Sequence, residues 1–167
     1  MDNICIEFTN GKKINLELYR EHAPISVENF MNLVKEGFFD GLCFHRVIEG
    51  FMIQGGGFMW QDGLVHKNAP RTIKGEFRAN GVTNNLKHVP GVISMARTMF
   101  PNFASSQFFI CVENCTHLDG QYAAFGKTMD QDSLDVAIEI SKVETGFVDG
   151  YADVPTTPIV IKTISIL

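Results

Sequence analysis

Residues 44–58 read FHRVIEGFMIQGGGF, and they set one arginine, Arg46, and one glutamine, Gln54, among apolar side chains ahead of three glycines. A guanidinium keeps its charge at any physiological pH, and here it lies beside apolar surface wide enough to hold a ring. No paired carboxylates, thiol nucleophile or phosphate loop accompanies it. This combination allows a site that binds and polarises a peptide group without covalent chemistry. Alternation along a strand puts Phe44 and Arg46 on one face, and Met52 and Gln54 on one face of the next, where the Gln54 carbonyl can accept from the guanidinium. With Phe44, Phe51 and Met52 as neighbours, the charge would act at lowered dielectric. Spacing alone leaves Arg46 open between that role and a structural ion pair.

Other chemistries find less support. His22, His45, His66, His88 and His117 are scattered, with no pair at metal-ligand spacing, so no metal is expected. Ser94, Ser105 and Ser106 adjoin apolar segments, but no GxSxG turn presents a nucleophile. Gly55, Gly56 and Gly57 follow a strand-like run without the GxGxxG or GxxxxGK[ST] of a phosphate loop. They read as a bend or bulge at a barrel corner. Net charge is −5 and no basic run exceeds Lys12-Lys13, which argues against nucleic acid.

The N-terminus lacks the pattern of a signal peptide, and the apolar runs are too short to span a membrane. Cys5, Cys43, Cys111 and Cys115 have no zinc-like spacing and read as reduced thiols of a cytoplasmic protein. A chain of 167 residues fits one domain, 1–167. Its 14 Phe against 3 Tyr and 1 Trp predict a core filled by phenyl rings.

The elements that must position Arg46 follow from periodicity. Ile4, Ile6 and Phe8 alternate, Asn10-Gly11 intervenes, and Ile14, Leu16 and Leu18 alternate again, which predicts a hairpin with a tight turn. Ser26 is placed to cap a helix carrying Val27, Phe30, Met31 and Val34, ended by Gly37. Strands are expected at 43–47, 52–55, 91–96, 106–112 and 122–127. Residues 59–87 read as long loops with a short strand or two. A second helix over 133–141 would be capped by Asp132 or Ser133. A closing strand within 159–166 changes apolar phase between Ile161 and Ile164, which predicts a bulge. About eight short strands and two helices, without alternating βα units, point to a mainly β fold, a closed antiparallel barrel with helices over its ends.

The chain also resembles a known family, the cyclophilin-type peptidyl-prolyl cis–trans isomerases, in its small single-domain bacterial form. Residues 44–58 resemble that family's most diagnostic stretch. GVISMAR at 91–97, SSQFFI at 105–110 and LDGQYAAFGK at 118–127 are similar to three further blocks, in the family's order. The resemblance implies an eight-stranded antiparallel barrel with a helix at each end. It implies a non-covalent isomerase of X-Pro bonds that assists protein folding, needs no cofactor, and acts on proline-containing peptides and on unfolded or folding proteins.

By the same resemblance Arg46 is catalytic, and Phe51, Met52, Phe109 and Leu118 hold the proline ring. Gln54 supports the arginine, Ala96, Arg97 and Gln107 line the groove for the flanking peptide, and His117 and Tyr122 edge the pocket. The chain departs from the best-known eukaryotic members in carrying His117 for Trp, Tyr122 for His and Arg97 for a common Asn, with a bulkier loop at Met99-Phe100. Weak cyclosporin binding is the expectation, together with a monomer that engages neither nucleic acid nor membrane. A proline-directed peptide-binding module and a structural barrel are the competing readings.

Overall fold

The computed structural model describes residues 2–167. Its framework begins as expected, with β1 (Asp2–Phe8) and β2 (Lys13–Leu18) pairing antiparallel. The turn is not the two-residue form. The Gly11 N–H donates to the Phe8 carbonyl and the Phe8 N–H to the Lys12 carbonyl, and Gly11 has φ +87° while Asn10 keeps a negative φ. One left-handed residue, with glycine to supply it, closes a longer loop.

The further strands are β3 (Leu42–Ile48), β4 (Met52–Trp60), β5 (Leu64–His66), β6 (Val92–Met95), β7 (Phe108–Cys111), β8 (Ala124–Thr128), β9 (Thr145–Val148), β10 (Tyr151–Pro155) and β11 (Ile161–Ile166). Eight of the eleven described strands run in the order β11-β1-β2-β8-β6-β7-β4-β3. The ends of this path meet where Cys43 bridges Val160, with bonds from Gly41 N to Ile161 O at 2.8 Å and from Phe44 N to Ile159 O at 2.9 Å. The result is a nearly closed antiparallel barrel, which satisfies the sheet edges internally. On β11 the register skips Lys162, placing the predicted bulge between Ile161 and Ile164. Three strands lie off the barrel path: β5 pairs with β4, and β9 with β10 forms a separate hairpin that the periodicity reading missed.

Phenyl rings fill the interior. Phe30, from α1 (Pro24–Lys35), packs 4.9 Å from Phe39, 5.4 Å from Phe125 and 5.5 Å from Phe108, ring centre to ring centre. The second helix, α2 (Gln131–Ser141), buries Ala137 and Ile140.

Both caps differ from expectation. On α2 the N-cap is Asp130, whose carboxylate accepts from the Ser133 N–H at 2.8 Å, because it precedes the first helical residue where the free N–H groups point. On α1 Ser26 lies inside the helix, which starts at Pro24 with no capping side chain of its own. The cap is tertiary. Buried Glu76 accepts from Ile25 N (3.1 Å), Ser26 N (2.6 Å) and Ser26 Oγ (2.8 Å). Glu76→Ala should therefore lose about 2–3 kcal/mol in chemical denaturation, because buried donors lose their acceptor, whereas Glu76→Gln keeps one oxygen and should lose less.

Candidate functional site

Arg46 and Phe44 do not share a face. The β3–β4 register steps from Phe44↔Gly55 to Arg46↔Gln54 and leaves His45 unpaired. This bulge breaks alternation. Phe44 turns into the core beside Phe8 and Phe108, while His45 and Arg46 both line an outer cavity. A second step, from Cys43↔Phe58 to Phe44↔Gly55, leaves Gly56 and Gly57 as extra residues on β4. Glycine is required at Gly56, which has φ +92° and where a Cβ would stand 2.7 Å from the Ser106 carbonyl, whereas at Gly57 a Cβ would meet only the Gln107 side chain. The triple glycine thus shapes the barrel wall, as its composition suggested.

The cavity holds about 440 Å³ and opens outward from the barrel. Arg46 lies exposed at its mouth, so solvent, not apolar protein, surrounds the free guanidinium. Lowered dielectric can arise only when a ligand covers it. Among the described residues no carboxylate pairs with Arg46, which sets aside the ion-pair role. Its Nη1 donates to Gln54 Oε1 at 3.5 Å, a long contact, and Gln54 Nε2 donates to Gln107 Oε1 at 3.1 Å. Two amides in series thereby orient the cation without neutralising it.

The apolar wall comes from several elements. Phe51 ends the turn into β4, Met52 and Gln54 share one face of β4, Phe109 stands on β7, Leu118 lies in a short 3-10 turn, and Tyr122 precedes β8. Along β7 the residues alternate between two apolar environments. Phe108 and Ile110 enter the barrel core, while Phe109 and Cys111 join Met52, Cys115 and Leu118 outside it. The β7 strand is therefore buried on both faces, which explains its unbroken apolar run.

Beneath Phe109 lies a Ser–His–Asp arrangement. Asp119 Oδ1 accepts from the His88 backbone N–H (2.7 Å) and meets His88 Nδ1 at 2.9 Å, while His88 Nε2 lies 2.9 Å from Ser94 Oγ. It cannot act as a nucleophile, because His88 and Ser94 are both 0% exposed. Its imidazole lies nearly parallel to the Phe109 ring, 6.0 Å away, so it serves as a strut under the cavity floor. Burial lowers the His88 pKa, against the opposing pull of Asp119.

Of the residues singled out from the sequence, Arg46, Phe51, Met52, Gln54, Ala96, Arg97, Gln107, Phe109, Leu118 and Tyr122 all line this cavity. His117 is not among the lining residues; it is exposed, with its ring 5.5 Å from the Phe51 ring. The Arg97 guanidinium sits over two rings, 4.8 Å from Phe77 and 4.6 Å from Tyr122, and donates to Gln121 O at 2.7 Å. It is thus fixed as part of the wall.

The cavity also takes in His45, Phe58, His66, Tyr151 and Ala152, which the sequence reading left out. The signal for the last two was present. Asp149-Gly150 between apolar residues marks a two-residue hairpin turn, and both have positive φ, +50° and +83°. Among the described residues no group of three or more His, Cys, Asp or Glu converges as a metal site would need. All four cysteines are free and buried, and burial pushes the Cys43 thiol up to about 11.

Comparison with known proteins adds an independent line. The family described as cyclophilin type peptidyl-prolyl cis-trans isomerase/CLD matches residues 4–166. The chain is 43% identical to peptidyl-prolyl cis-trans isomerase A of Dickeya dadantii, over 95% of this chain and 82% of that protein. It is 36% identical to peptidyl-prolyl cis-trans isomerase B of Escherichia coli, over 95% of this chain and 96% of that one. A cyclophilin of Cryptosporidium parvum, solved in the presence of the dipeptide ala-pro, superposes with a TM-score of 0.77 at 27% identity, over 99% of this chain and 98% of the other.

The bulged His45 generates a stability test. Burial, reinforced by the charge of Arg46, pushes its pKa down to about 4, and its Nδ1 has no partner. An unfolded imidazole takes up its proton near 6.5, so between these values the unfolded state binds more protons and stability falls as pH falls. Denaturation at pH 7 and pH 4.5 should show His45 contributing a loss of about 2–3 kcal/mol, which His45→Gln removes.

Proposed function

Because the chain belongs to the cyclophilin-type peptidyl-prolyl cis–trans isomerases and is such an isomerase, we propose that Arg46 is its catalytic group, acting on an X-Pro amide whose ring sits against Phe51, Met52, Phe109 and Leu118. The observation that carries this reading is an unpaired guanidinium, oriented by Gln54, at the mouth of an apolar cavity. The protein binds proline-containing peptides. The dipeptide named with the Cryptosporidium parvum relative is the smallest unit this cavity would take.

Amide resonance gives the X-Pro bond a barrier of ~20 kcal/mol. Twisting the bond breaks resonance and returns a lone pair to the proline nitrogen. A donor aimed at that nitrogen stabilises the twisted state more than either planar one, and only such a difference lowers the barrier. Arg46 remains charged throughout and its fork reaches both the nitrogen and the neighbouring carbonyl oxygen. The ring pocket holds the proline still while the acyl side turns. Its apolar walls exclude water from the amide, which weakens the charge-separated resonance form. A million-fold acceleration corresponds to about 8 kcal/mol, within reach of a preoriented cation together with positioning. No proton moves, so no cofactor or titrating base is required.

Further assignments belong to the same proposal. Arg97, Ala96 and Gln107 line the path of the flanking peptide, and His117 edges the pocket beside Phe51. Clients are unfolded or folding proteins, met by a monomer in the cytoplasm, a compartment consistent with four free cysteines. No partnership with nucleic acid or membrane is proposed. Cyclosporin binding is weak, because an imidazole at position 117 presents less apolar surface and a different donor than an indole would.

Exchange spectroscopy on an X-Pro peptide checks the central claim. Arg46→Ala should reduce kcat/KM by about a hundredfold or more while the fold is retained. Peptide binding without rate enhancement in the native protein would mark a binding module instead. His117→Trp should tighten cyclosporin by about tenfold in calorimetry, and an unchanged Kd would refute the role given to position 117.

A further inference from the structure

Residues 98–103 form a loop outside the cavity. Met99 is 83% exposed, Phe100 54% and Phe103 55%, and the two phenyl rings stand 5.2 Å apart, centre to centre. The loop is nevertheless pinned. Asn102 Oδ1 accepts from the Gly75 N–H at 3.0 Å and from Asn80 Nδ2 at 2.9 Å. The Phe100 N–H donates to Thr98 Oγ1 at 3.2 Å, and Arg97 Nη1 donates to the Thr98 carbonyl at 3.0 Å. These bonds use the polar groups of the loop and leave its apolar side chains in water. Large apolar side chains set together on a fixed loop mark an interaction surface.

The charge around this patch is opposite to that of the whole chain. Net charge is −5, yet residues 63–112 carry six cations, Lys67, Arg71, Lys74, Arg78, Lys87 and Arg97, against one carboxylate, Glu76. Glu76 is buried against the start of α1 and offers nothing to the surface. Lys74 borders one small recess with Pro101, and Arg78 opens the turn whose Asn80 holds Asn102. Both are exposed, and among the described residues neither forms an ion pair. Two free cations therefore flank three exposed apolar side chains. The complement of such a face is a segment that alternates apolar side chains with carboxylates.

We propose that the loop bearing Met99, Phe100 and Phe103 is a docking face for an acidic segment of a partner protein, one that carries aromatic or large aliphatic side chains and needs no proline. The apolar side chains of that segment leave water against the two phenyl rings, and its carboxylates meet Lys74 and Arg78. Two other occupants fit less well. A second copy of this chain, docked about a symmetry axis, would set these cations near their own counterparts. The three side chains also expose only roughly 300–400 Å², below the about 800 Å² that each partner of a stable interface buries. An anionic bilayer extends past the loop and repels the rest of an acidic protein, whereas a short segment within a Debye length of ~8 Å senses chiefly Lys74 and Arg78. Docking on so small a face is weak, with a Kd of about 0.1–1 mM.

The test is a titration of the whole protein with a labelled, proline-free peptide that alternates Phe and Asp, read by fluorescence anisotropy and NMR. A Kd of about 0.1–1 mM is expected at low salt, rising about fivefold or more when Lys replaces Asp in the peptide. The double variant Phe100→Ser, Phe103→Ser should weaken binding about tenfold, and Lys74→Glu about threefold. All three positions are exposed and outside the cavity, so both variants should isomerise an Ala-Pro peptide at the native rate. Arg46→Ala, or an excess of Ala-Pro dipeptide, should leave the docking Kd within about twofold. No saturation at millimolar peptide, or equal binding of the Lys peptide, would overturn the proposal. Competition by the dipeptide would also overturn it, by moving the peptide into the cavity. So would binding confined to vesicles of phosphatidylserine and phosphatidylcholine, or a dimer in sedimentation that the double variant abolishes, since these assign the loop to a bilayer or to a second copy. Each such failure leaves the isomerase assignment standing.

Discussion

Phe44 and Arg46 are two residues apart on one strand, and they must face opposite ways. Phe44 closes the core against Phe8 and Phe108, and Arg46 lines the outer cavity. Regular pleating would force both to one side, stripping water from an uncompensated cation or exposing a core ring. The unpaired His45 resolves this conflict. Opposite it, the glycine-rich stretch of β4 absorbs the complementary irregularity, with Gly56 taking a left-handed conformation against the Ser106 carbonyl. The whole site depends on this paired break, because the cavity begins where the pleat fails.

The same break sets the division of the interior. The β7 strand separates a phenyl-filled barrel core from a smaller outer cluster of Met52, Phe109, Cys111, Cys115 and Leu118. One wall therefore serves two packed layers, and the floor of the site is as firmly packed as the fold itself. The Asp119–His88–Ser94 chain reinforces it from below, with the His88–Ser94 bond fully buried and Asp119 at the partly exposed end. Such packing holds the side chains that line the cavity in fixed positions.

Electrostatics around the cavity follow one theme. Arg46 is kept free of carboxylates and steered by neutral amides, His45 is neutral near pH 7, and Arg97 is spread over two aromatic faces. A carboxylate beside Arg46 would orient it equally well but would spend its field before a substrate arrived. Gln54, backed by Gln107, contacts it through neutral dipoles, which leaves its charge uncompensated.

Much of this was legible in the residue order. The alternation of β1 and β2, the helical spacing from Val27 to Val34, the phase change in β11 and the ring-rich core all follow from local periodicity, which depends on near neighbours. Four ordered blocks resembling one family placed ten residues that line one cavity. Tertiary contact decided the rest. Glu76 caps a helix that begins some fifty residues earlier in the chain, so no local pattern could have named it. The His45 bulge arises from pairing with a partner strand, which is why alternation misassigned Phe44 and Arg46. Tyr151 reaches the cavity because Asp149 ties its hairpin to Leu64. The sequence by itself determined ten side chains that line the cavity, since that information lies in residue types, short spacings and the order of blocks. The directions in which those side chains point, and the aromatic wall added beside them, were decided only by the folded barrel, because strand register and long-range hydrogen bonds exist only once distant segments meet.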